Sequence, residues 1–334
     1  MKLPACLRRV LGGDKRAELP QPPRRGLTLR RALIPLGGAE PVGWSALRAL
    51  PVELLPVVDR PLIHYAINEA LAAGIDELVF VVERSHEAVD EQLDAELAVL
   101  PGGVKAHVLR PGGEGGLARA LASARPLLED DAFALLLPAE FLQGEPGVLA
   151  QMAAQFPRTP GSMVAVEAAG AGTSATAALW VETAVSDLRL ACVRAVGQGR
   201  PAGAQGPQAR IWTAAGRCVF TPRVFANLEP LRHGARTRSP GLRDALAATL
   251  LTEPVFAFRY TGRRFDCAAP LSWLEANLVQ ASRHPQVAGE FQHLLRQTAQ
   301  FVPASEDLSQ VQARALPLPG RAVTGRPRLT LVRN

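Results

Sequence analysis

The chain has 334 residues, of which 48% are hydrophobic and 20% charged, a composition that excludes disorder of the whole chain and supports a sizeable core. Four cysteines without a C-x-x-C pair exclude a disulfide scaffold and a cysteine-rich zinc module and fit a reducing, cytoplasmic setting, and no apolar run is long enough for a membrane-spanning helix. The net charge of +6 raises the question of a nucleic-acid partner, but its distribution argues otherwise: residues 1–31 hold nine basic and two acidic residues, residues 301–334 five and two, and residues 32–300 hold 23 and 27.

Residues 1–30 read as a flexible basic leader. Pro20 to Arg25 contains three prolines and two arginines, and proline removes backbone donors from any regular element. From Arg31 the pattern changes. Ala32 to Leu36 is a short apolar run closed by Gly37 and Gly38, as in a buried strand opening into a loop. Pro61 to Gly74 reads as a helix, with apolar residues at Leu62, Tyr65, Ala66, Ala70 and Ala73 and a glycine stop.

Leu78 to Val82 is the next strand. A helix follows from Ser85, with Glu87, Asp90, Glu91 and Asp94 on its wet face. Val104 to Leu109 reads as a strand, Gly115 to Leu128 as a helix, and Ala132 to Leu137 as a strand ended by Pro138. This alternation predicts an α/β fold with a mixed, mostly parallel central sheet flanked by helices. Ligands of such sheets lie beyond the carboxyl ends of the strands, which points to three loops: Gly37 to Leu55, Arg110 to Gly116 and Pro138 to Gln143.

Beyond residue 160 the pattern is richer in strands: Ser162 to Glu167, Ala177 to Glu182, Leu190 to Val196, Ile211 to Phe220 and Val255 to Tyr260. Leu242 to Leu251 and Pro270 to His284 read as helices. Gly197 to Gln208 reads as a mobile loop, and residues 301–334 as a loose tail. The organisation expected is thus a leader (1–30), one domain (31–300) and a tail. Six histidines show no metal-ligand spacing, and Cys192, Cys218 and Cys267 fit strands as small core residues.

The stretches RALIPLGG and ALPVELLPVVDRPLIHYAINEALAAGIDELVFVVERS resemble the start of bacterial UTP–glucose-1-phosphate uridylyltransferase (UDP-glucose pyrophosphorylase). Similarity continues through LRPGGEGGLARAL, FALLLPAEFL, AAGRCVFTP, LRDAL and GRRFDCAAPLSWLEA, so that it covers roughly residues 31–282. The resemblance implies a Rossmann-like nucleotidyltransferase fold. It implies attack of glucose 1-phosphate on the α-phosphate of UTP, giving UDP-glucose and pyrophosphate, with help from Mg²⁺. Such a transfer is mostly positioning and charge neutralisation, from glycines that let the backbone approach phosphates and from cations.

Set against the family's G-x-G-T-R and P-K-E-M-L-P, the first glycine is Gly38 and the second falls on Glu40. The threonine falls on Pro41, the arginine on Val42 and the lysine on Val52, while Glu53 is kept. Glu40 would set a carboxylate against phosphate, a repulsion of about 1 kcal/mol at ~4 Å in water and several times that in a drier site. Pro41 lacks an N–H for an oxyanion, and Val42 and Val52 remove two cations.

The family's R-Q-G, whose glutamine faces uracil, is Arg110-Pro111-Gly112. Its metal-holding L-P-D is Leu137-Pro138-Ala139, followed by Glu140. Its later D-C-G is Asp266-Cys267-Ala268. The family's E-K-P lysine has no counterpart near Val196 to Pro201, and of the three lysines only Lys105 lies within the domain.

These matches leave Gly38, Arg48, Glu53, Gly112 and Gly216 as vestigial substrate-binding candidates, and Asp266 and Glu140 as metal candidates. No catalytic residue is assigned. Each has a bland reading beside the sharp one: Asp266 as a strand-end cap or partner of Arg263 or Arg264, Glu53 as a turn-stabilising carboxylate, the glycines as backbone requirements. The arginines Arg232, Arg236, Arg238 and Arg243 form a basic patch, a solvated loop or an effector site.

The functional expectation is a catalytically impaired, regulatory or structural relative of the enzyme, forming a homo-oligomer or a hetero-oligomer with an active relative. The alternatives are an active transferase with a rearranged site, using Mg²⁺, and a nucleotide-sugar binding module. Its ligands would be UTP, UDP-glucose or glucose 1-phosphate; nucleic acid is not expected as a partner, since the basicity lies at the ends of the chain.

Overall fold

A computed structural model describes residues 27–37, 50–83, 87–112, 116–168, 179–183, 189–199, 211–227 and 241–298. Residues 1–26 of the leader, the tail, Gly38, Glu40, Pro41, Val42, Arg48, Arg232, Arg236, Arg238, and the Gly197 to Gln208 loop beyond Gly199 lie outside these residues. A first correction is that Leu29 and Arg30, expected in the leader, already belong to the first strand, and Gly197 and Gln198, expected in a loop, end another, since each is held by backbone pairing with its neighbouring strand.

Strand β1 (Leu29–Leu36) pairs in parallel with β4 (Glu77–Val82) and with β6 (Ala132–Leu136). β4 in turn pairs in parallel with β5 (Lys105–Leu109). The crossovers are helices α1 (Leu62–Ala72), α2 (Glu87–Ala98) and α3 (Gly116–Leu128), because parallel neighbours need long connections. A two-residue pairing, β2 (Pro56–Val57) with β3 (Arg60–Pro61), precedes α1.

Side chains in the strands alternate between two cores, as the period of two demands. Ala32, Ile34, Leu36, Leu78, Phe80 and Val82 join α1 and α2 on one face, while Leu33, Val79 and Val81 join Leu117, Leu121 and Leu128 of α3 on the other. Strands buried on both faces read as continuous apolar runs, which explains why this half was legible from sequence.

The second half departs from a mostly parallel sheet. β11 (Ile211–Phe220) is antiparallel to β6, to β8 (Ser162–Ala168) and to β9 (Leu179–Thr183). β10 (Leu190–Gln198) is antiparallel to β9 and to β12 (Val255–Arg259), and only β8 with β12 is parallel. The nine strands run β5-β4-β1-β6-β11-β8-β12-β10-β9. The mixed central sheet expected is thus found: β1, β4, β5 and β6 pair in parallel, and every antiparallel pairing of that sheet involves a strand beyond residue 136, where β8 with β12 is again parallel.

A second correction concerns the loop expected from Pro138 to Gln143. Glu140–Gln143 is strand β7, which pairs with β13 (Arg263–Asp266). Each has four residues, too short for periodicity to reveal, and each is fixed by the other across a large sequence gap. Phe141 stacks on Phe265 at 5.7 Å, and both join Val52, Leu55, Val57, Leu62, Cys267 and Ala276 in a third apolar cluster.

Helices α4 (Val148–Gln155), α5 (Leu242–Thr249) and α6 (Pro270–Ala281) complete the elements that start in the first compact unit, which extends to Gln280. In the second unit α7 (Ala288–Thr298) has no buried residue.

Candidate functional site

The site lies where β1, β6 and β13 end and β7 begins, against Gly216 and Arg217 in the interior of β11. Two carboxylates retained from the expected set face each other there: Asp266 of β13 is the cross-strand partner of Glu140 of β7. Opposite residues of an antiparallel pair project to the same face, with Cβ atoms about 4.5–5.5 Å apart. Arg264, two positions before Asp266, shares that face.

One oxygen of the Glu140 carboxylate is engaged by the protein. Its Oε2 accepts the Gly216 N–H at 2.9 Å and lies 3.4 Å from Nη1 of Arg264. Burial pushes the Glu140 carboxyl above the ordinary range; Arg264 opposes this, and the nearby Asp266 adds to it. Arg264 also donates from Nε to Glu167 at 2.7 Å, and Tyr260 donates its hydroxyl to the same carboxylate at 2.8 Å. Burial works against the Arg264 charge, but Glu140, Glu167 and Asp266 more than offset it, so its protonated form is held firmly.

Asp266 closes the end of its strand. Its Oδ1 accepts the Ala268 N–H at 3.3 Å and its carbonyl accepts the Ala269 N–H at 3.0 Å, which starts the turn into α6. Arg263 pairs with Glu275 instead of with Asp266.

Gly216 is set by packing. A methyl group there would meet Leu137 Cβ at 2.8 Å and Glu140 Cδ at 3.3 Å. Its N–H faces Glu140, and its carbonyl accepts the Leu137 N–H at 2.9 Å. Glu53 lies in the 3-10 turn Val52–Leu54, is 2% exposed, and accepts the Gly37 N–H at the mouth of β1. It thus ties the start of the loop to the turn below it.

Val52, where the resemblance implies a lysine, is wholly buried in the third apolar cluster. Gly112 has φ +63°, a left-handed conformation with open space around it, and follows β5 at the sheet edge, separated from β6 by β4 and β1. Arg110 beside it pairs with Asp90 at 2.6 Å, and Arg119 donates to the Pro111 carbonyl at 2.8 Å. The structure therefore brings together Glu140, Gly216 and Asp266, places Glu53 at the neighbouring β1 loop, and sets Gly112 apart. Gly38 and Arg48 lie outside the described residues.

Sequence reasoning missed Arg217. Its guanidinium is buried, pairs with Glu69 at 2.8 Å, and donates to the carbonyls of Leu137, Gly216 and Glu140. Glu69 also accepts the Leu149 N–H at 3.0 Å at the start of α4. The available signal was an arginine inside an otherwise apolar strand, which demands a buried partner. Cys267 and Cys218 are buried, and burial raises both thiols, that of Cys267 to about 12, so neither is a nucleophile.

Among the described residues no group of three or more His, Cys, Asp or Glu is placed to hold a metal. Glu140 Oε2 is committed to Gly216 and Arg264, and Asp266 Oδ1 to Ala268, so the facing pair keeps Glu140 Oε1 and Asp266 Oδ2 to offer. What does not suit the Mg²⁺ that the resemblance implies is the buried Arg264 cation set against that pair, not the number of oxygens.

The family model described as nucleotidyl transferase matches residues 47–171. A UTP–glucose-1-phosphate uridylyltransferase of Bacillus subtilis is 28% identical over 277 residues, covering 78% of this chain and 93% of the relative. One from Komagataeibacter xylinus is 28% identical over 283 residues, covering 76% and 97%.

Among solved structures, the UTP-bound UGPase from Acinetobacter baumannii superposes with a TM-score of 0.67 at 24% identity, over 80% of this chain and 99% of that one. A UDP-glucose pyrophosphorylase complexed with UDP-glucose gives 0.64 at 20% identity, over 77% and 100%. The chain has the nucleotidyltransferase fold and resembles the UTP–glucose-1-phosphate uridylyltransferases.

Proposed function

We propose that this chain is a uridylyltransferase-like protein of nucleotide-sugar metabolism that has lost the transfer reaction and serves as a regulatory or structural relative of an active enzyme. The carrying observation is Val52. Where the reaction needs a cation against a triphosphate, the chain has a valine sealed in an apolar cluster with Leu55, Leu62, Phe141 and Phe265.

Two further positions support the reading. Ala139 brings no carboxylate to the strand end where the resemblance implies one, and Glu140 beside it is bonded to Gly216 and Arg264. The surviving residues act on the scaffold: Glu53 holds Gly37, Asp266 caps β13, and Arg217 joins α1 to β11 through Glu69. Such a protein keeps the shape of its relatives, which suits assembly with them or with a second copy of itself. UTP, UDP-glucose or glucose 1-phosphate are the small molecules it would take.

The test is direct. Purified protein is incubated with UTP, glucose 1-phosphate and Mg²⁺, and UDP-glucose and pyrophosphate are followed by chromatography. No product above the blank is expected. Turnover at an ordinary enzymatic rate would overturn the proposal. Calorimetry with the same three compounds then separates a silent binding module from a purely structural partner.

A further inference from the structure

Asp266, which the resemblance places on the metal side, and Glu140, the neighbour of the lost aspartate position, are on one face, opposite one another, and yet a cation already lies among them. Arg264 is 3.4 Å from Glu140, 2.7 Å from Glu167 and electrostatically coupled to Asp266. We infer that Arg264 is the internal counter-cation of the Glu140–Asp266 pair and that this pair takes up no divalent metal.

Three features carry this. The guanidinium is itself buried, its side chain 7% exposed, so its charge acts across a low-dielectric gap and is poorly screened. Glu140 gives one oxygen, Oε2, to both a backbone N–H and that guanidinium, which leaves the carboxylate a single oxygen for any metal. Finally, a divalent ion entering beside Asp266 would meet a fixed positive charge two residues away on the same strand face. Arginine is always protonated, so no ordinary pH removes that repulsion.

The inference goes beyond the loss of transfer activity, since a silent protein could still bind a metal. It predicts that without the guanidinium Glu140, Glu167 and Asp266, which as placed hold no metal, close on a divalent cation.

Mn²⁺ is the probe, titrated into the full chain and followed by the loss of the free-ion EPR signal, with and without UDP-glucose. The wild type is expected to leave the signal at its blank value. Arg264→Gln is expected to take up one Mn²⁺ per chain, and addition of Asp266→Asn to that variant to abolish uptake. Mn²⁺ should raise the melting temperature of Arg264→Gln and leave that of the wild type unchanged.

Stoichiometric uptake by the wild type that Asp266→Asn removes would overturn the inference. So would a folded Arg264→Gln chain that takes up none. Should Arg264→Gln fail to fold, the wild type and Asp266→Asn still decide the question, and recovery of its fold by Mn²⁺ would support it. Failure of the functional proposal is read separately, as UDP-glucose formation, and leaves this result standing.

Discussion

Glu69 of α1 and Arg217 of β11 form an ion pair at 2.8 Å, with side-chain exposures of 8% and 2%. The arginine also donates to the carbonyls of Leu137 and Glu140, so a single side chain fastens the end of β6 and the start of β7 to helix α1. A buried pair of this kind offsets its own desolvation, and removing one partner strands the other. Arg217→Met should therefore destabilise the fold by about 3–5 kcal/mol in urea denaturation, whereas Arg217→Met with Glu69→Leu should cost less than the two single changes together.

Gly216 should tolerate no side chain. An added methyl group meets Leu137 Cβ at 2.8 Å, and Gly216 itself presents its N–H to Glu140. Gly216→Ala is expected to cost about 1–3 kcal/mol as overpacking, read as a fall in melting temperature. A Gly216→Ala chain as stable as the wild type would show that Leu137 moves freely.

The stability of the second half of the sheet should depend on pH through Glu253. Its carboxylate accepts hydroxyl hydrogen bonds from Thr221, at 2.7 Å, and from Ser162. Burial raises its pKa above the ordinary range, against the pull of those two hydroxyls. The folded state therefore holds the proton more tightly than the unfolded one. The contribution is complete below the unfolded value of about 4.3 and is lost as pH rises through the folded value. Relative to Glu253→Gln, the wild type should lose stability between pH 4 and pH 8, measured by denaturant midpoints at each end.

Val58 has φ +63°, a left-handed backbone in a β-branched residue. The turn is held by α6: Asn277 Oδ1 accepts the Val58 N–H at 2.8 Å, and Trp273 donates to the Pro56 carbonyl at 2.8 Å. The left-handed conformation costs about 1–2 kcal/mol, and glycine avoids it while giving back about 0.5–1 kcal/mol in the unfolded chain. Val58→Gly should be neutral or stabilising by up to about 1 kcal/mol, and Asn277→Ala destabilising by about 1–3 kcal/mol, both by thermal denaturation.

Much of the fold was legible because it is written locally. Ala32 to Leu36 and Leu78 to Val82 are buried on both faces, so burial itself dictates unbroken apolar runs. β7 and β13 were not legible, since EFLQ and RRFD become strands only by pairing with each other. α4 and α7 are absent from the periodicity-based reading as well. Of the site, the changes at Val52 and Ala139 were visible residue by residue. What Glu53 and Gly216 do was not, because Gly37 and Leu137 reach them only in the folded chain.

By itself, the sequence determined the alternation of apolar strands and amphipathic helices, the acidic body between basic ends, and the residue types at each motif position. Those are properties of neighbours along the chain, set by periodicity and side-chain chemistry. Only the tertiary structure decided which charge answers which. Arg217 goes to Glu69, and Arg264 goes to Glu140 and Glu167 while Asp266 caps its strand. Buried charges must be neutralised by whatever the fold brings within hydrogen-bond reach, and that proximity is a property of strand order and register that no local pattern encodes.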